Sequence, residues 1–419
     1  MISCMPSTSD SAGVVGFEEA RQIVEQHAAS VRASEVETIE LLAARERVLA
    51  EEIVADRDFP PLARATRDGY AVHAADVEQV PARLEVIGEI KAGNSAEGLA
   101  IARGQAVSIM TGAPLPTGAD AVVMVEYTHT AENSVEVQRS AVAGENFVPR
   151  GAEARAGQIL VGPGRRLDHA LIAVAAAVGK TRVRVFRKPR VAVLSTGDEV
   201  VEIDATPDAA QIRNSNSYSL AAQIEGGGGE AVQLAIAPDE PKRLRQLIEE
   251  GLVSDLLLIT GGVSMGKYDL VEQVMADMQA EFYFTGARIQ PGKPVVFGAC
   301  ARAGASAPRY FFGLPGNPVS TMVTFRLFVQ PMIAVLAGAA PEPMVFLQAR
   351  LKADVRTKTG LTRFLPAILS GAFENAEVEL AAWQGSGDIA ASARANCYLV
   401  IPPDREQIAA GEWASVLLR

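Results

Sequence analysis

The sequence predicts a multidomain α/β plus β protein, in which a doubly wound α/β region is flanked by β-rich regions. Between residues 190 and 337, short apolar runs alternate with helical segments, as in a sheet covered by helices on both faces. Residues 66–150 and 344–419 carry short strands between Gly and Pro turns, with no helical period. The chain has 419 residues and is 48% hydrophobic, enough for several separate cores.

Residues 1–15 are aperiodic and read as a disordered lead. From Phe17 to about Ala55 the pattern reads as helical. Phe17, Ala20, Ile23 and Val24 share one face, and Ile39, Leu42 and Leu49 continue a second segment. Pro60-Pro61 ends it. Strands are expected at Leu84–Ile90, Ala106–Met110, Ala121–Val125 and Ser134–Val137, then a helix from Leu167 to Val178 stopped by Gly179. Arg and Lys alternate with Val and Phe from Arg182, as in a strand. In the α/β region, strands are expected at 191–194, 231–236, 255–259, 282–284, 295–298 and 310–312. Helices are expected at 217–225, 241–250, 269–278 and 318–336. Residues 337–343 read as a linker.

Composition narrows the function. Net charge is −11 and no run of five or more basic residues occurs, which argues against nucleic acid as a partner. The 3 Cys, at 4, 300 and 397, form no CxxC pair, and the 4 His are scattered. A metal, if used, is therefore expected to be a hard ion on carboxylates. No secretory leader and no stretch of 18 apolar residues is read, so the expected compartment is the cytoplasm, without a membrane.

Four loops concentrate Gly, small hydroxyls and charge. They are Ser195-Thr196-Gly197-Asp198-Glu199, Thr260-Gly261-Gly262-Val263-Ser264-Met265-Gly266, Pro291-Gly292-Lys293-Pro294 and Gly313-Leu314-Pro315-Gly316-Asn317-Pro318-Val319-Ser320. Three follow strands buried on both faces, and an open α/β sheet binds ligands outside the carboxyl ends of its strands. One such loop could be a plain turn, but four in one domain point to an anion site. Asn317-Pro318 reads as an N-cap and first-turn pair whose helix start leaves amides free. Gly261 to Lys267 imitates a P-loop, but Tyr268 stands where the magnesium-binding hydroxyl is needed. Asp198, Glu199, Asp255 and Asp269 are the nearby carboxylates. Lys293, between two prolines, is a rigid cation suited to an oxyanion.

These stretches resemble the molybdopterin molybdenumtransferase family, which includes the C-terminal domain of gephyrin. The resemblance rests on RDGYAV (67–72), IMTGAPLPTGADAVVMVE (109–126), PRVAVLSTGDEVV (189–201), IRNSNSY (212–218), TGGVSMGKYD (260–269), PGKP (291–294) and GLPGNPVS (313–320), in family order. It implies a three-layer α/β/α molybdopterin-binding domain at 188–337 and a helical linker domain in two segments, 16–60 and 150–187. It also implies an inserted β-rich domain at 61–149 and a β-barrel-like domain at 343–419. The implied reaction inserts molybdate into adenylylated molybdopterin with magnesium and releases AMP, the last step of molybdenum cofactor synthesis. The implied assembly is a homodimer with its cleft at the interface, dealing with molybdopterin adenylyltransferase and molybdoenzyme delivery proteins.

By motif, Asp198, Glu199, Asp255, Asp269 and Lys293 take catalytic roles, with Asp68 and Thr111 reaching the cleft from the partner subunit. Asp269 and Glu199 are the implied metal ligands. Substrate contacts fall to Ser195, Thr196, Gly197, Asn214, Ser215, Thr260, Gly261, Gly262, Ser264, Gly266, Pro291, Gly292, Pro315, Gly316, Asn317, Pro318, Ser320 and Ser386. The chain departs from the family at two places. In Gly360-Leu361-Thr362-Arg363-Phe364-Leu365-Pro366, Leu361 and Pro366 replace the usual arginines and Arg363 is displaced. Gln290 stands where many members have lysine. The rival readings are an adenylyltransferase acting on the same pterin, and a non-catalytic molybdopterin-binding scaffold.

Asp269 opens a helix straight after the Gly-rich loop, so it is either a cap or a carboxylate beside phosphate. Asparagine caps as well as aspartate but carries no charge. We expect Asp269→Asn to slow single-turnover AMP release about a hundredfold at unchanged melting temperature. A parent-like rate would make Asp269 an ordinary cap.

Overall fold

The computed structural model describes residues 13–31, 33–262, 270–301 and 307–419. Its centre is a six-stranded sheet in the order Glu230–Gln233, Arg190–Ser195, Leu256–Thr260, Arg309–Leu314, Val296–Cys300, Glu281–Phe284. The first four strands are mutually parallel, and Val296–Cys300 runs antiparallel to its neighbours. The strands at the middle are buried along their length, as their uninterrupted apolar runs require.

Helices cover both faces, the three-layer arrangement the sequence predicts. Helices Pro241–Gly251 and Leu270–Asp277 pack Leu244, Leu247, Ile248 and Met275 against one face. On the other lie Ser215–Gly226 and the continuous helix from Pro318 to Leu336, which takes a π turn at Phe325–Val329. That 19-residue helix is apolar enough to cross a membrane by composition, but 67% of its apolar 18-residue window is buried inside the protein.

The N-terminal part departs from expectation. Phe17–Ala29 is a helix, but it packs Phe17, Ala20, Val24 and Ala28 into the α/β core rather than into a separate linker unit. Val14–Val15, expected in a disordered lead, is a short strand parallel to Gly286–Ala287. The second helical segment does not form. Val36–Glu40 is a strand antiparallel to Arg182–Phe186. Its V-E-T-I-E sequence is rich in β-branched residues, and the distant partner satisfies its backbone. Ile53–Val54 pairs likewise with Ile159–Val161. The unit between these segments and the helix His169–Ala177 is thus largely β, closed around Leu49, Ile53, Leu167 and Val183.

The inserted β region holds its own six-stranded sheet around Tyr70, Val72, Leu84, Val123 and Val135. In the C-terminal region, Thr362–Ser370, Glu377–Leu380, Leu347–Leu351, Trp413–Leu418 and Cys397–Ile401 close into a five-stranded barrel. This barrel is bonded to the α/β unit, because Ile289–Gln290 pairs in parallel with Thr362–Arg363. Phe364 of the barrel meets Phe17 edge-on at 4.9 Å, and both belong to the α/β core cluster. Aromatic contacts of this kind add to an already large area burial.

Candidate active site

The parallel register places Ser195, Thr260 and Leu314 side by side. Three of the four predicted loops therefore leave the sheet along one line. They are tied at their roots, since Thr196 N–H donates to the Thr260 carbonyl at 2.9 Å. Together with the Ile212–Asn216 segment and Pro294 they enclose a cavity of 330 Å³.

The lining includes Ser195, Thr196, Glu199, Asn214, Ser215, Thr260, Gly261, Gly262, Pro315, Gly316, Asn317 and Pro318. Gly261 has φ +92°, and a Cβ there would stand 2.5 Å from the Thr196 carbonyl oxygen, so only glycine lets the two loops touch. Asn317 opens the Pro318 helix with no capping bond from its own side chain. The Val319 amide instead donates to the Ser386 carbonyl at 3.0 Å, so the C-terminal region reaches this helix start through its backbone.

Within the cavity, the residues divide into framework and face. Ser195 Oγ donates to Asn214 Oδ1 at 3.0 Å, and Asn214 Nδ2 donates to Ser217 Oγ at 3.0 Å. These buried side chains satisfy one another and lock the start of the Ser215–Gly226 helix. Asn216, which the motif reading passes over, joins two loops. Its Nδ2 donates to Thr260 Oγ1 at 3.0 Å and to the Gly316 carbonyl at 2.8 Å. Its signal in the sequence is the repeated Asn of Arg213-Asn214-Ser215-Asn216. Among the described residues, the Thr196 hydroxyl and Asn216 Oδ1 are buried without a hydrogen-bond partner, an arrangement costing about 1–3 kcal/mol per group.

The carboxylates are unevenly placed. Glu199 lines the cavity, with its carboxylate folded over Gly197, whose φ of +129° is one that side-chain-bearing residues rarely adopt. Asp198 is exposed and accepts from the Asp239 amide at 3.0 Å. Burial, with the nearby charges of Asp198 and Glu199, raises the Asp239 carboxyl above its ordinary range. Asp255 does not join this group. It precedes the Leu256–Thr260 strand, at the opposite end of the sheet, and its Oδ2 accepts from Arg187 at 3.0 Å and from the Arg190 amide at 2.8 Å. This corrects the expectation that Asp255 stands with the loop carboxylates, since its oxygen is committed to anchoring a strand start.

Asp269, Ser264 and Gly266 lie outside the described residues. Among the described residues, no group of three or more His, Cys, Asp or Glu side chains is arranged to hold a metal ion. Magnesium needs only one or two protein carboxylates beside phosphate oxygens, and Glu199 supplies one such carboxylate at the cavity.

Pro291 and Gly292 are buried behind the cavity, and only Pro294 of that turn lines it. Gly292, at φ +106°, is packed so that a Cβ would meet Thr324 Cγ2 at 2.5 Å. Ser320 is likewise buried. The Lys293 side chain is exposed, while its carbonyl accepts from the Ala287 and Val295 amides, each at 3.0 Å. Asp68 and Thr111 are exposed and bonded to each other, with Thr111 N–H and Oγ1 donating to Asp68 Oδ1 at 2.6 and 2.8 Å. The Thr111 amide and hydroxyl hold the Asp68 carboxyl below its ordinary range. Neither residue lines this cavity.

Family models match the chain in three consecutive blocks: "MoeA N-terminal region (domain I and II)" over residues 15–179, "Probable molybdopterin binding domain" over 192–335, and "MoeA C-terminal region (domain IV)" over 348–418. The fold and site therefore define a multidomain protein built on a molybdopterin-binding type of α/β domain. The molybdopterin molybdenumtransferase of Nostoc sp. is 35% identical, covering 99% of this chain and 94% of its own. That of Staphylococcus epidermidis is 32% identical over 88% of each. A solved structure titled molybdopterin biosynthesis moeA protein from Pyrococcus horikoshii OT3 is 29% identical at TM-score 0.78, covering 97% of this chain and 100% of that one. A second, from Pyrococcus horikosii, is 34% identical at TM-score 0.70, covering 97% and 99%. The chain belongs to the molybdopterin molybdenumtransferase family.

The position of Asp255 makes a direct prediction. Asp255→Asn keeps an acceptor for the Arg190 amide and loses the charge that pairs with Arg187. Unfolding stability is expected to fall by about 1 kcal/mol, with kcat/KM within about threefold of the parent. A hundredfold fall in kcat/KM at parent stability would return Asp255 to the active site.

Proposed function

We propose that the protein is a molybdopterin molybdenumtransferase that inserts molybdate into adenylylated molybdopterin and releases AMP, completing the molybdenum cofactor. The observation that carries this is the convergence of the Ser195–Glu199, Thr260–Gly262 and Gly313–Ser320 loops on one cavity at the carboxyl ends of the sheet. The backbone at Gly261, Gly262 and Gly316 can approach a phosphate closely, and the Thr196 and Ser215 hydroxyls add polar contacts. Asn216 holds the Gly316 backbone against Thr260, so the anion meets loops already in place.

Glu199, with Asp269 of the Thr260–Asp269 motif, would hold magnesium, whose charge would offset that of the phosphate oxygens. Lys293 lies on a turn whose carbonyl is fixed at both sides, a rigid placement for a cation that meets a tetrahedral oxyanion. The metal is delivered to the pterin's own sulfurs, so no cysteine or histidine nucleophile is required. Cys300 and Cys397 are buried, and burial pushes both thiols up, which suits packing rather than reaction.

Asp68 and Thr111 lie outside the cavity of their own chain, and the reading assigns them to a partner subunit's cleft in a cytoplasmic homodimer. Their mutual bonds fix Thr111 in a defined orientation for that role.

Two measurements test this reading. Purified protein with magnesium is expected to release AMP from adenylylated molybdopterin faster when molybdate is added, and substrate left intact with both ions present would refute the assignment. Light scattering at micromolar concentration is expected to give the mass of a dimer, and a fully active monomer would refute the shared cleft.

A further inference from the structure

Gln290, where this chain departs from the family's usual lysine, touches Arg363, the arginine of the stretch in which Leu361 and Pro366 replace the usual two. The Arg363 Nε donates to Gln290 Oε1 at 2.9 Å, and its Nη1 donates to the Leu361 carbonyl at 3.2 Å. Arg363 is only 6% exposed, and among the described residues no carboxylate pairs with it. Its hydrogen-bonding partners are a neutral amide and a backbone oxygen. A buried guanidinium held this way gains a fixed fork geometry rather than an ion pair.

The contact sits where the C-terminal barrel joins the α/β unit. Ile289–Gln290 lies parallel to Thr362–Arg363, and the Thr362 amide donates to the Arg288 carbonyl at 3.0 Å. The chain then turns at once through Pro291, Gly292 and Lys293. Gly292 packs against Thr324 of the Pro318 helix, and Pro294 lines the active-site cavity. Gln290 is therefore the hinge point between the barrel and the turn that bears Lys293.

We infer that Arg363 is a positioning residue for the anion-binding turn: through Gln290 it fixes the Pro291–Pro294 turn, and so the Lys293 ammonium, to the barrel. The inference rests on the transferase reading, in which Lys293 meets the oxyanion. Arg363 does not touch substrate in this role. Its effect passes through a neutral side chain, which the positive charge of a lysine at 290 would disrupt by like-charge repulsion.

The test uses full-length Arg363→Met, Gln290→Leu and Gln290→Glu. Displacing a positioned cation by a fraction of an ångström weakens its ligand strongly, so Arg363→Met and Gln290→Leu should each raise the molybdate KM about tenfold, with kcat within about threefold. The amides of Ala287 and Val295, which bond to Lys293 oxygen, should exchange hydrogen faster in both. Gln290→Glu keeps an acceptor for Arg363 Nε but neutralises its charge, and should retain parent KM and parent exchange. Parent KM in Arg363→Met overturns the inference. So does a Gln290→Glu variant as impaired as Arg363→Met, which would make the charge itself the working element. A parent protein without molybdate-stimulated AMP release counts against the functional reading instead. The inference is then decided by exchange alone, with unchanged exchange at Ala287 and Val295 in Arg363→Met overturning it.

Discussion

The parallel register of three central strands is the constraint on which the site depends. Ser195, Thr260 and Leu314 are neighbours across the sheet, so the loops that follow them have a common origin. A slip of one residue would send every side chain of a strand into the opposite apolar layer, where it would not fit its close-packed neighbours, since these strands are buried on both faces. The packing of Leu194, Leu258 and Phe312 thus enforces the geometry of a polar cavity that none of them touches. The Thr196 amide, bonded to the Thr260 carbonyl, carries this order one residue past the end of the strands.

Beyond the sheet, the site is assembled from segments remote in the chain. Asn216 opens a helix yet bonds to Thr260 and Gly316. The carbonyl of Ser386 takes the Val319 amide, and Arg363 holds Gln290. The barrel is consequently part of the support of the cavity loops and not an appended module. Phe17 and Phe364 make the same junction on its apolar side, which burial alone stabilises by several kcal/mol at about 25 cal/mol per Å².

Two misreadings have physical explanations. Ile39, Leu42 and Leu49 fall at near-helical spacing, but Val36–Glu40 is rich in β-branched residues, and a short segment with both leanings is decided by whichever partner reaches it. Here Arg182–Phe186 reaches it, and a hydrogen-bonded strand pair outweighs a marginal helix lacking a buried face. Asp255 is a different case. Its place before a buried strand already marked the amino end of the sheet, the side away from ligand loops. The motif pattern drew attention to its charge, while the structure shows that charge spent on Arg187 and the Arg190 amide.

What the sequence determined by itself was the local and periodic part of this protein. Buried-strand runs, helix starts such as Asn317-Pro318, and glycines at required turns are written in consecutive residues, and they named the α/β layer and the loops that line its cavity. What only the tertiary structure decided was which distant groups meet. It assigned Phe17–Ala29 to the α/β core, separated Asp255 from Glu199, recruited Asn216 to the cavity, and paired Gln290 with Arg363. Local sequence encodes backbone preference within a few residues, whereas contacts across dozens or hundreds of residues depend on packing the whole chain at once.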